Sequence, residues 1–335
     1  MPLHPPFPLR RLLRAALVLA GAAVFGAAAQ ASGLRVLMAD DAMAPAEFVR
    51  ELGERQDEGR FTLIRLTAGG PAARAGALDD GRAGRGRGVP EPPSSATAAP
   101  EGGVTIAVGA GAAHAALGEP GQSPLVLTML SRLEVERLKT TAVLRHPERR
   151  IGVVLCEPAM ADQLALIAAI LPSKHRLGVI ATVESEPIVS ELQRAAQGFD
   201  LQIEYAADAR SLAAVLRLLV SRSDALMVLP DMIGDDQAAT LTILRAGASA
   251  GLPVFGTSEG IVRSGGLAAA VSTPDQLAQQ ALALGHRLEA AGAGGSLLVE
   301  AATPATVRIN TNVARALGLR LPDLQALNAT VNTVR

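Results

Sequence analysis

The chain has 335 residues with 31 basic and 32 acidic side chains, and a formal charge of −1 argues against a protein built to grip a phosphate backbone. Hydrophobic residues make up 49% and charged ones 19%, which excludes overall disorder and leaves enough apolar surface for two domains. With 2% aromatics, no Trp, one cysteine (Cys156) and five scattered histidines, the composition excludes ring cages, internal disulfides, zinc knuckles and paired-histidine metal motifs, so neither cofactor nor metal is expected.

Arg10, Arg11 and Arg14 precede an apolar run from Ala15 to Ala29, and Ala29-Gln30-Ala31 offers small residues for a signal peptidase. This pattern predicts a cleavable secretory signal peptide over residues 1–31, because the run falls short of the roughly 20 residues of a membrane span. No cysteine follows it, so no lipid anchor is expected. Cleavage removes three of the 31 basic residues and none of the 32 acidic ones, leaving a mature chain of charge −4 in the periplasm.

Taken in order, LRVLMA (34–39), a helix around Phe48 to Leu52, and FTLIRL (61–66) open an α/β pattern. Residues 67–103 are rich in Gly, Ala, Arg, Pro and Ser and have little to bury, which predicts a flexible insertion. VTIAVG (104–109) and PLVLTML (124–130) resume the strands. From Arg149 apolar runs start near Ile151, Leu177, Leu201, Ala225 and Pro253, about 24 to 28 residues apart, the pitch of one strand plus one helix. Asp208 is expected to cap a helix burying Leu212, Val215, Leu216 and Leu219. Thr273-Pro274-Asp275-Gln276 reads as a capping box opening a helix through Leu277, Ala281, Leu284 and Leu288. The expected fold class is α/β, two doubly wound parallel-sheet lobes with a hinge and an interlobe cleft.

Ligands of open parallel sheets bind beyond the carboxyl ends of the strands. Those ends carry Asp40, Asp41, Gly109 to Gly111, Thr128 and Ser131 in the first half, and Thr182, Glu184, Ser185, Asp231, Thr257, Ser258 and Glu259 in the second. Hydroxyls, carboxylates and bare backbone suit a small polar ligand, although each residue also serves as an ordinary helix cap. VGAGAAH (108–114) lacks the third glycine of a dinucleotide fingerprint, since His114 stands there. GTSEG (256–260) matches the nucleophile elbow of esterases, with Asp275 and His286 following in hydrolase order. Those two share one helix about 16 Å apart at 1.5 Å per residue, too far for a hydrogen bond, so a triad using both is excluded. Cys156, at the end of IGVVL, reads as a small apolar residue rather than a nucleophile.

From about Arg149 to Asn328 the sequence resembles the ABC transporter substrate-binding proteins related to tryptophan and tyrosine uptake. The resemblance is carried by DQLALIAAILPSKHRLGVI (162–180), DALMVLPD (224–231), LPVFGTSEGIVRSGGLAAAVSTPDQLAQQ (252–280) and, most specifically, VRINTNVARALGLRLP (307–322). It implies a type I periplasmic binding fold, with lobe 1 in 32–145 plus about 264–300 and lobe 2 in 146–263 plus about 301–335. It also implies a ligand site at Gly109, Ala110 and Thr128 in lobe 1 and at Thr182, Glu184, Ser185, Asp231, Ser258 and Glu259 in lobe 2. Thr182 stands where Asn is common, and Phe255 is the one aromatic near the expected cleft, which favours a smaller or more polar ligand than a stacked aromatic amino acid. The implied protein is a monomeric, non-catalytic solute binder serving an inner-membrane ABC permease, with no nucleic-acid partner. An accessory or sensor descended from the same fold is the alternative, and a serine esterase using Ser258 a minor one.

Overall fold

A computed structural model describes residues 33–39, 43–56, 61–66, 103–145, 149–208, 210–291, 296–303 and 305–333. The expected signal peptide, Asp40, Asp41 and residues 67–102 of the expected insertion lie outside this set.

Most of the apolar runs become strands buried on both faces, as parallel strands covered by crossover helices require, while the edge strands Phe61–Arg65 and Asp200–Tyr205 are only partly buried. In the first sheet, β1 (Leu34–Met38) lies between β2 (Phe61–Arg65) and β3 (Thr105–Val108), followed by β4 (Leu125–Leu130), β5 (Ile151–Leu155) and β11 (Leu298–Glu300), all parallel. Helices α1 (Met43–Glu54) and α11 (Pro274–Ala290) cover one face through Phe48, Leu52, Leu277, Ala281 and Leu284. Helices α2 (Gly109–Gly118) and α3 (Arg132–Lys139) cover the other through Ala112, Ala116, Val135 and Leu138.

The second sheet runs β7 (Asp200–Tyr205), β6 (Arg176–Ala181), β8 (Ala225–Val228), β9 (Val254–Phe255), β10 (Ala268–Val271) and β12 (Thr306–Ile309), the last antiparallel to β10. One face packs on α5 (Met160–Ile170), α6 (Glu186–Ala195), α12 (Thr311–Ala316) and α13 (Leu324–Val331). The other packs on α7 (Leu212–Arg222) and α9 (Gln237–Ala250). The expected pair of doubly wound lobes is therefore present.

Three local expectations change. Lobe 2 was expected to begin at 146, yet β5 pairs with β4 and β11 in the first sheet, so the first change of sheet falls after Leu155. The chain was expected to return to lobe 1 at about residue 264, yet β10 pairs with β9 and β12, so the change of sheet falls after Val271. Three alanines and a valine make a weak strand signal, and β10 exists because both its edges find partners. Asp208 caps the turn before α7, accepting from Arg210 and Ser211 N–H at 3.0 and 2.9 Å, and the helix itself starts after Ser211. The capping box of α11 forms as read: Thr273 accepts from Gln276 N–H at 3.3 Å, and Gln276 accepts from Thr273 N–H at 2.9 Å.

The chain passes between the sheets from β5 to α5, from β10 to α11 and from β11 to β12. Ala302 N–H donates to the Glu157 carbonyl at 3.0 Å, tying the first passage to the third.

Strand β9 is only two residues long, so the Ala270 peptide has no strand beside it on that edge. Buried Gln163 of α5 fills the gap, donating to the Ala270 carbonyl at 2.6 Å and accepting from its N–H at 3.0 Å. Gln163→Leu strands both peptide groups, and urea unfolding should show a loss of about 1–3 kcal/mol; an unchanged midpoint would remove this role.

Candidate ligand-binding site

Two neighbouring strand ends of the second sheet build the most organised polar cluster. After β6, Thr182 opens a 3-10 turn (Val183–Ser185) that leads directly into α6, with Pro187 in its first turn. After β8, Asp231 caps the short helix α8 (Met232–Asp235), its Oδ1 accepting from Ile233 and Gly234 N–H at 3.0 Å each. Its Oδ2 accepts the Ser185 hydroxyl in a short hydrogen bond. Ser185 Oγ accepts from Thr182 N–H at 3.0 Å and lies 2.7 Å from the Thr182 hydroxyl. Because Ser185 spends its hydrogen on Asp231, the Thr182 hydroxyl is the donor in that contact. All three side chains are at most 3% exposed. Asp231 has no ion-pair partner among the described residues, so its buried charge rests on three hydrogen bonds.

The other expected site residues lie around this cluster in different ways. Glu184 is exposed on the 3-10 turn, flanked by Val183 at 80% exposure. Ser258 caps α10 (Glu259–Arg263), accepting from Ile261 N–H at 3.3 Å. Glu259 pairs with Arg263 at 3.2 Å and Arg308 at 3.5 Å. The three residues of the esterase pattern have separate partners, Ser258 in its cap, Asp275 with Arg55 and His286 with Glu289. In the first sheet Gly109, at φ +81°, and Ala110 start α2 half-buried beyond β3. Thr128 is fully buried near the end of β4, with no hydrogen-bond partner for its hydroxyl among the described residues. The next residue, Met129, has φ +55°, and the β4–β5 register shifts there. A non-glycine in the left-handed region marks local strain.

The lobes meet at a seam that sequence reasoning missed. Ser131 follows β4 and opens α3 with a capping box, which directs Arg132 toward the second lobe. Arg132 Nε lies 2.6 Å from Glu191 Oε2 of α6, and Glu191 Oε1 accepts from Met160 N–H at 3.0 Å. Glu157, just beyond β5, accepts from Arg132 N–H at 3.2 Å. Burial pushes the Glu157 carboxyl up to about 7, against the pull of the Arg132 N–H and guanidinium. Burial, reinforced by the charges of Glu157 and Glu134, pushes the Cys156 thiol well up and deprives it of thiolate character. Asp235 of α8 is also raised, first by burial and then by Asp231 and Glu134, the latter reaching it from the first lobe. Nothing in periodicity or spacing pairs a residue of α3 with one of α6.

The family model for ABC transporter substrate binding proteins matches residues 101–332. The chain belongs to this family. Three solved structures share its fold at 16–19% identity. A substrate binding protein with adhesive properties from Clostridium difficile, in a ligand-free, open form, has a TM-score of 0.63 and 16% identity over 87% of this chain and 96% of that one. A conserved domain protein from Vibrio cholerae has a TM-score of 0.54 and 19% identity over 89% and 98%. An ABC domain from Streptococcus pneumoniae in complex with L-Trp has a TM-score of 0.53 and 16% identity over 87% and 96%. No curated protein matches the sequence. The fold of this substrate-binding protein is that of the type I periplasmic binding proteins, two lobes of mostly parallel sheet flanked by helices. Among the described residues no helix is long and apolar enough to cross a membrane.

Asp231→Ala removes the one oxygen that accepts both cap hydrogen bonds and the Ser185 partner, and chemical denaturation should register a loss of about 1–3 kcal/mol. Asp231→Asn retains the oxygen that caps α8 and should lose less; equal losses would mean the cap is not what Asp231 supplies. Thr128→Val keeps the side-chain shape while deleting an unsatisfied buried hydroxyl, so thermal unfolding should show a gain of about 1 kcal/mol. A loss of that size would reveal a partner for the hydroxyl.

Proposed function

We propose that the protein is the solute receptor of an ABC-type uptake system, holding a small, polar, amino-acid-like ligand between its lobes and delivering it to an inner-membrane permease. The signal peptide over residues 1–31 would be removed on export, and the mature monomer would work in the periplasm. The observation that carries this reading is Asp231: a buried carboxylate at a strand tip, lacking a counter-cation among the described residues and aligned by Ser185 and Thr182. A ligand ammonium is the charge such a group lacks. The L-Trp bound by the pneumococcal structure is a ligand of this chemical class. Phe255 is buried among core residues, and Tyr205, at the neighbouring tip of β7, gives its hydroxyl to Glu186 at 2.9 Å, so the reading takes a ligand smaller or more polar than tryptophan.

The working cycle is a hinge equilibrium. A ligand that touches both lobes at once stabilises the closed form by its differential affinity for it. Asp231 takes the ammonium, while Thr182, Ser185 and the first turn of α6 line the place for the carboxylate. Gly109 and Ala110 supply the facing wall, backed by the fully buried Thr128, with Glu184, Ser258 and Glu259 at the rim of the second lobe. No step of this cycle makes or breaks a covalent bond, so a non-catalytic role follows.

Calorimetric titration of the mature protein with the common amino acids tests the reading. At least one should bind, and Asp231→Asn should weaken it by roughly ten- to a hundredfold, since a hydrogen bond to a charged group contributes about 1.5–3 kcal/mol. Unchanged affinity in the variant would refute the assignment of Asp231.

A further inference from the structure

We propose that the side chain of the ligand is aliphatic, of about the size of leucine or methionine, and that Val183 and Met232 select it. The inference rests on the amino-acid reading above and carries it from the charged head of the ligand to its side chain.

Strand tips are ordinarily polar, because turns and helix starts favour groups that can hydrogen-bond. Four of the eight exposed large apolar residues among the described ones nevertheless stand at the carboxyl ends of the two sheets: Tyr205, Val183 and Met232 on the second and Met43 on the first. The three of the second lobe occupy neighbouring tips, in the order β7, β6, β8. Tyr205 ends β7 beside Ala181. Val183 stands three residues beyond Ile180, and Met232 four residues beyond Val228, the strand partner of Ile180. Val183, 80% exposed, follows Thr182 directly, and Met232, 55% exposed, follows Asp231 directly. The two therefore flank the buried hydroxyls and carboxylate joined through Ser185. On the first lobe Met43 opens α1 beyond β1, and β3, the neighbour of β1, leads into Gly109 and Ala110.

At these exposures Val183 and Met232 add little to the core of their own lobe. Single exposed apolar residues occur on any surface, whereas a row of them on adjoining tips marks a place that something apolar covers. A ligand whose ammonium meets Asp231 brings its side chain beside both, and laying an aliphatic chain there removes apolar surface of ligand and protein from water together. Met232, unbranched and adaptable, can follow the shape of such a chain. The one ring in the row, Tyr205, stands on the edge strand with its hydroxyl given to Glu186 at 2.9 Å. Glu184, exposed next to Val183, is the charged competitor and would draw a cationic side chain instead.

Calorimetric titration of the full chain with the common amino acids reads this preference. Leucine or methionine should bind at least about tenfold tighter than serine, because burying a side chain of that size contributes roughly one to two factors of ten. Val183→Ser and Met232→Ser should each lower the leucine-to-serine affinity ratio several-fold, and the double variant should bring it near one. Both positions are exposed, so the fold is not at stake. Equal losses for leucine and serine would mean that the tips act on the protein rather than on the side chain, and would overturn the inference. Serine, arginine or tryptophan binding tighter than leucine and methionine, and still weakened by Asp231→Asn, would overturn it while leaving the amino-acid reading in place. Binding of no amino acid would sink both.

Discussion

A parallel strand covered by helices on both faces can carry polar chemistry only at its tips, and this constraint organises the whole molecule. Leu125, Val126, Leu127, Val153, Val154, Leu226, Met227 and Val228 are at most 1% exposed along the strand bodies. The hydroxyls and carboxylates are pushed to the carboxyl ends, where loops leave the sheets and backbone N–H groups of helix starts stand free. Thr182, Ser185 and Asp231 converge because β6 and β8 are neighbours in the sheet, although 46 residues separate Ser185 from Asp231.

The same constraint explains why the lobes meet through charged groups. The first residues beyond β4 and β5 are Ser131, Arg132, Cys156 and Glu157, and the residue beyond β8 that faces them is Pro230. Arg132 is shared between a carboxylate of its own lobe and Glu191 of the other. Such a pair costs desolvation, which the Met160 N–H given to Glu191 at 3.0 Å helps to offset. Burial first, then Asp231 and Glu134 of the other lobe, raise the Asp235 carboxyl.

Much of this was legible in the residues themselves. The apolar runs at Ile151, Leu177, Leu201, Ala225 and Pro253 became β5 to β9, because period and length separate buried strands from amphipathic helices. The Thr273 box formed as read because capping is local. Strand β10 was missed because Ala268 to Val271 has little intrinsic preference and depends on neighbours far away in sequence. Among the nine expected site residues, the trio at β6 and β8 came together in one cluster, while Ser258 and Glu259 are engaged at α10 and Thr128 is enclosed beneath the wall of its lobe.

The amino-acid sequence by itself determined the fold class, the two-lobed plan and the polar composition of the strand ends, since each follows from patterns within a few dozen residues. Only the tertiary structure decided that Asp231 shares a hydrogen with Ser185. It alone brought Arg132 between Glu157 and Glu191. Those contacts depend on which strands become neighbours and on how two lobes close over a seam, and burial then sets the charge of groups whose identity alone left it open.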